Sequence, residues 1–115
     1  LSNITANELQ LTPDQAQWLE IAMLLIQEAK LILMDEPTAG MTIQETRRTG
    51  EIFNSLKGHH TMIVVEHDMT FVRQIAETVT VMELGALLAQ GSIKEIESDP
   101  KVRAAYLGNE VADHA

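Results

Sequence analysis

Two points along the chain place acids or an imidazole directly after a short apolar run. Leu31-Ile32-Leu33-Met34 is followed by Asp35-Glu36, and Thr61-Met62-Ile63-Val64-Val65 is followed by Glu66-His67-Asp68. An apolar strand that ends in two adjacent acids delivers both carboxylates to the carboxyl edge of a sheet, where layered α/β proteins bind ligands. The two acids need not share a task. Asp35 suits the water shell of a Mg²⁺ ion, which takes a carboxylate, waters and phosphate oxygens. Glu36 suits the polarisation of an attacking water. His67 at the same edge would donate a hydrogen bond to a phosphate oxygen. The plainer reading stands beside this one. Strand ends are commonly polar and solvated, and a single surface histidine is commonly bland.

Those residues need elements to hold them. Thr12-Pro13-Asp14-Gln15 carries an N-cap residue, a proline suited to the first helical position and the glutamine of a capping box. Trp18, Leu19, Ala22, Met23, Leu25 and Ile26 then recur at helical spacing and predict a helix from 13 to about 28. Residues 31–34 and 61–65 are continuous apolar runs and predict strands buried on both faces, as in a parallel sheet. Between them, Thr42 with Glu45 forms a second capping box, opening a helix to about Leu56 that Lys57-Gly58 closes. A short helix follows through Met69, Phe71, Val72 and Ile75. Residues 78–82 and 86–89 flank Glu83-Leu84-Gly85 and predict a β-hairpin. Ser92 with Glu95 is a third capping box, and Asp99-Pro100 starts a last helix to about Tyr106. Residues 1–10 are expected to be a loop or a short helical turn, and 109–115 a frayed tail. Strands alternating with helices indicate an α/β layered sheet with a C-terminal β-hairpin and helices.

Composition narrows the field of functions. The 115 residues are 45% hydrophobic and 22% charged, the balance of one ordinary globular domain. Eight Lys and Arg stand against 17 Asp and Glu, a net charge of −9. That argues against a backbone-reading nucleic-acid binder and against docking on an anionic membrane. There is no Cys, so disulfide scaffolds and thiolate metal sites are excluded. The longest apolar stretch, Ile21–Ile26, is far short of the roughly 20 residues a bilayer crossing needs. No basic segment precedes an apolar one near the start, so no secretory leader is expected within these residues.

The pattern as a whole resembles the ATP-binding subunit of ABC transporters. Asp35-Glu36-Pro37-Thr38 is similar to the Walker B motif with its catalytic glutamate. Val65-Glu66-His67-Asp68 is similar to the switch-histidine region, and the segment from Gln15 to Ile21 to the helix after the signature motif. The runs QWLEIAMLL, VVEHDMTFVR and DPKVRAAYLG resemble the urea and branched-chain amino-acid importer subfamily, nearest its urea branch. The resemblance covers about residues 4 to 108. It implies a P-loop NTPase fold, of which 1–115 would be the C-terminal half of the nucleotide-binding domain.

By that resemblance Asp35 holds Mg²⁺ through water, Glu36 is the general base and His67 meets the γ-phosphate. Thr12 and Gln15 serve the ATP of a second ATP-binding subunit. Cytoplasmic location and membrane-spanning permease subunits as partners are implied as well. The sequence departs from the family at several points, among them Met41, where many members place an aspartate. No G-x-x-x-x-G-K-[ST] phosphate loop occurs in it. The signature reads Leu11-Thr12-Pro13-Asp14-Gln15, with Asp14 where a glycine amide should approach phosphate. Two readings follow. One is a portion of an importer ATPase, inactive alone. The other is a non-catalytic remnant that folds, self-associates into a homo-oligomer and binds no nucleotide.

Overall fold

The computed structural model describes residues 10–107, and the chain divides into two compact units between Ile75 and Ala76. The expectations for residues 1–9 and for the tail lie outside the described residues.

The first unit begins with helix α1, Pro13–Ile26. Thr12 is extended (φ −68°, ψ 161°), and its N–H donates to Gln15 Oε1 at 3.2 Å, the reciprocal half of a capping box. The helix stops at Ile26, two residues before the expected end. Glu28 turns into the left-handed region (φ 58°), and the Ala29 N–H closes back on the Leu24 carbonyl at 3.1 Å. A left-handed residue just past a helix satisfies its last carbonyls this way, at a cost that glycine would lessen.

Strand β1, Leu31–Asp35, pairs in parallel with β2, Thr61–Val65, from Leu31 opposite Thr61 to Asp35 opposite Val65. Helix α2, Ile43–Leu56, lies between them in sequence. Its N-terminus carries the full capping box: the Glu45 N–H donates to Thr42 Oγ1 at 3.1 Å, and the Thr42 N–H to Glu45 Oε2 at 3.2 Å. Helix α3, Met69–Ile75, follows β2, and the Phe71 N–H donates to Asp68 Oδ1 at 3.2 Å. Ile21, Ile32, Met34, Phe53 and Phe71 form the buried core, joined by Leu25, Met62 and Val64 among others. Phe53 and Phe71 meet edge to face, 5.5 Å between ring centres, a favoured aromatic geometry.

The two strands depart from expectation in one respect. They are buried on one face only. Ile32 and Met34 face the core, whereas Leu31, Leu33, Ile63 and Val65 are between 52% and 65% exposed. The apolar runs have the composition of a sheet covered on both sides, but among the described residues of this unit nothing covers the second side.

The second unit is the expected hairpin with its helices. Strand β3, Val79–Glu83, pairs antiparallel with β4, Ala86–Gly91, and the register shifts between Val81 and Met82. Leu84 and Gly85 form the two-residue turn with φ of 50° and 80°, the left-handed pair that matches strand twist. Helix α4, Ile93–Ser98, has its own capping box between Ser92 and Glu95. Helix α5, Pro100–Val102, is capped by the Asp99 carboxylate, then widens into a π-helical turn at Arg103–Leu107 where one continuous α-helix was expected. Ile96 and Val102 are the buried apolar residues among the described residues of this unit. The Tyr106 hydroxyl donates to the Met82 carbonyl.

Candidate functional site

The parallel register brings the two polar strand ends together. Asp35 lies opposite Val65, so the next residues, Glu36 and Glu66, emerge side by side. The Glu36 N–H donates to the Val65 carbonyl at 2.7 Å, extending the ladder by one bond. Glu36 itself has φ 48°. Such a conformation costs a non-glycine residue about 1–2 kcal/mol and persists where its surroundings over-determine it. The chain then turns back through Pro37, fully buried, and Thr38, 7% exposed.

Glu36 and His67 face one another across this edge. His67 Nδ1 is 3.4 Å from Glu36 Oε1 and 3.7 Å from Glu66 Oε1, within ion-pair reach when the ring is protonated. The Glu36 side chain is 52% exposed and that of His67 81% exposed, so both can meet a ligand from solvent. Asp35 is exposed at the end of β1. The site therefore presents an accessible carboxylate, an accessible imidazole and a further carboxylate at the carboxyl edge of a parallel sheet. Among the described residues no three such groups converge as direct metal ligands, so these side chains suit a cation held through water by a single carboxylate, and a water to be activated.

Thr12 and Gln15 lie at the start of α1. The Thr12 hydroxyl donates to the carboxylate of Asp14, which is buried, and the Gln15 side chain is occupied by the Thr12 N–H. Their bonds are local. The loop after Glu36 nevertheless reaches this helix start: a Cβ on Gly40 (φ 79°) would stand 3.3 Å from Pro13 Cγ. Glycine there meets a left-handed backbone and a close approach together.

Glu66, a polar strand end in the sequence with no separate role there, is an integral part of the site. Glu66 has a side chain only 2% exposed. Its Oε2 accepts from the Thr38 hydroxyl at 2.6 Å and from the Thr38 N–H at 3.2 Å, and its Oε1 from the His67 N–H at 3.2 Å. A buried carboxylate persists when its oxygens are filled in this way. The clue was present in the register, because two equal strands in parallel place the acid after one beside the acid after the other.

Comparison with known proteins sets the chain beside ATP-binding cassettes. The family described as branched-chain amino acid ATP-binding cassette transporter matches residues 86–112. The high-affinity branched-chain amino acid transport ATP-binding protein LivG of Salmonella typhimurium is 38% identical over 92 residues, which are 78% of this chain and 36% of that protein. Its counterpart BraF of Pseudomonas aeruginosa is 35% identical over 96 residues, 82% of this chain and 38% of that one. The crystal structure of MJ1267, an ATP-binding cassette of an ABC transporter, superposes with a TM-score of 0.75 at 32% identity, covering 88% of this chain and 41% of that one. This chain is similar to part of an ATP-binding cassette of the ABC-transporter type. Its likeness is to the branched-chain amino-acid importer type, and it spans little more than a third of the curated relatives it matches. A bacterial Atm1-family ABC exporter with ATP bound, at 20% identity and TM-score 0.76, shares the fold. Among the described residues no helix is long and apolar enough to cross a membrane.

Proposed function

We propose that this cassette segment carries the hydrolytic edge of an ATP site in the ATP-binding subunit of an importer for branched-chain amino acids or urea. The observation that carries the reading is the convergence of Glu36 and His67 at 3.4 Å, beside Asp35, at one sheet edge. Asp35 would hold Mg²⁺ through water, Glu36 would take a proton from the attacking water, and His67 would donate to the γ-phosphate. Thr12 and Gln15 would face the nucleotide of a second ATP-binding subunit, with permease subunits as membrane partners and the cytoplasm as location. Asp14, buried and held by Thr12, adds a negative charge near that interface and would weaken it.

The segment alone supplies no phosphate loop, and with it no array of amides and lysine around the β- and γ-phosphates. Calorimetry of the 115-residue chain with MgATP is expected to give no saturable binding in the micromolar range. Saturable micromolar binding would overturn this part of the reading.

A second reading rests on the bare sheet face. Leu31, Leu33, Ile63 and Val65 form an exposed apolar surface on a two-stranded sheet, and open strand edges pair readily with other chains. In an intact cassette the remaining chain would cover it. Alone, the segment would self-associate through it as a non-catalytic homo-oligomer.

A further inference from the structure

We infer that Glu66 and Thr38 form a latch that positions Glu36 against His67. The inference rests on the proposal that Glu36 and His67 act together, and deepens it by assigning what holds them. Glu66 directly precedes His67, and Thr38 follows Glu36 by two residues, so a bond between them ties the two active arms at their bases. The tie is double on one oxygen, from the Thr38 hydroxyl at 2.6 Å and its N–H at 3.2 Å. The other oxygen fixes the His67 backbone through its N–H at 3.2 Å. The Glu66 side chain is 2% exposed and Thr38 7%, whereas the arms they hold are open to solvent. Solvent-exposed Glu36 and His67 would otherwise lose their mutual position to side-chain and loop freedom. The left-handed Glu36 is the strained point of this loop, and the latch closes the loop just beyond it. Strained residues at active sites are held by this kind of over-determined surrounding. Preorganisation of a base and a hydrogen-bond donor is what such a site requires. Glu66 and Thr38 are thus positioning residues, not groups that touch the reactants.

The test uses the full 115-residue chain and needs no nucleotide, so its failure is separate from failure of the ATP-site proposal. Amide hydrogen exchange and the NOE between the His67 ring and the Glu36 side chain are read for Thr38→Val, which keeps the shape, and Thr38→Ser, which keeps the hydroxyl. Glu66→Gln serves as a second way to break the latch. Thr38→Val and Glu66→Gln are expected to lower protection of the Thr38 and His67 amides at least tenfold relative to the β1–β2 ladder and to abolish the NOE. Thr38→Ser is expected to restore both. Unchanged protection and NOE in Thr38→Val would overturn the latch. So would a uniform loss across the whole ladder, which would make the contact general packing rather than positioning.

Discussion

Glu36 follows a strand whose side chains alternate between core and solvent, and its left-handed backbone turns the chain back over Glu66. A second residue-scale contact has a measurable energy. Thr49 is fully buried; its hydroxyl donates to the Glu45 carbonyl and accepts from the Trp18 indole N–H, both at 2.9 Å. Thr49→Val keeps the volume but leaves the indole without its acceptor. It is expected to cost about 1–2 kcal/mol, the penalty of one unmet partly buried donor, with Thr49→Ser near the parent. Chemical denaturation followed by the fluorescence of Trp18, the single tryptophan, reads this directly. Glu95 gives a pH signature at the same scale. The Ser92 backbone N–H, and secondarily the Ser92 side chain, hold its carboxyl below the ordinary glutamate range. A depressed carboxyl contributes stability that is present above the unfolded-state value and lost as pH falls through the folded one. Glu95→Ala should remove that portion of the acid limb while leaving the rest of the unfolding profile in place, as NMR of the hairpin unit against pH would register.

At the scale of elements, the core of the first unit rests on few residues. Phe53 from α2 and Phe71 from α3 fill it with Ile32 and Met34 of β1. Phe53→Ala should cost about 3–5 kcal/mol, the usual penalty for emptying a buried aromatic site. Against a total of about 5–15 kcal/mol for a small domain, it should abolish cooperative unfolding of this unit in a thermal scan. Elements specified by local chemistry were legible in the sequence. The boxes at Thr42 and Ser92 draw on residues within a few positions of one another and form as expected, and the hairpin expected around Glu83-Leu84-Gly85 forms with Glu83 in the strand and Leu84-Gly85 as its turn. The end of α1 and the π-helical turn at Arg103–Leu107 were not legible, since no nearby residue marks them as proline or glycine would. The pairing of Glu36 with His67 was foreshadowed by two strands with polar ends. The Thr38–Glu66 bond spans 28 residues and depends on the register between strands.

For the whole molecule, strand burial is where composition and structure part. Leu31, Leu33, Ile63 and Val65 have the character of core residues but stand open. The apolar runs alone could not reveal it, because a second covering layer is a matter of what other chain is present. Self-association through this face should therefore appear in sedimentation velocity, and more strongly as salt screens the −9 charge. Leu33→Thr with Ile63→Thr, which leaves the charge unchanged, should shift the chain toward monomer. A stable monomer across salt and concentration in the parent would contradict self-association.

We propose above all that this segment contributes the water-activating edge of an ATP site. The most direct test is the ATPase rate of a cassette made by joining the chain to the portion of LivG that it does not span, compared with its Glu36→Gln variant. The predicted result is measurable turnover that falls at least about 100-fold on substitution, the scale of general-base catalysis, while ATP affinity changes little. Equal turnover in both proteins, with ATP bound in each, would contradict the claim.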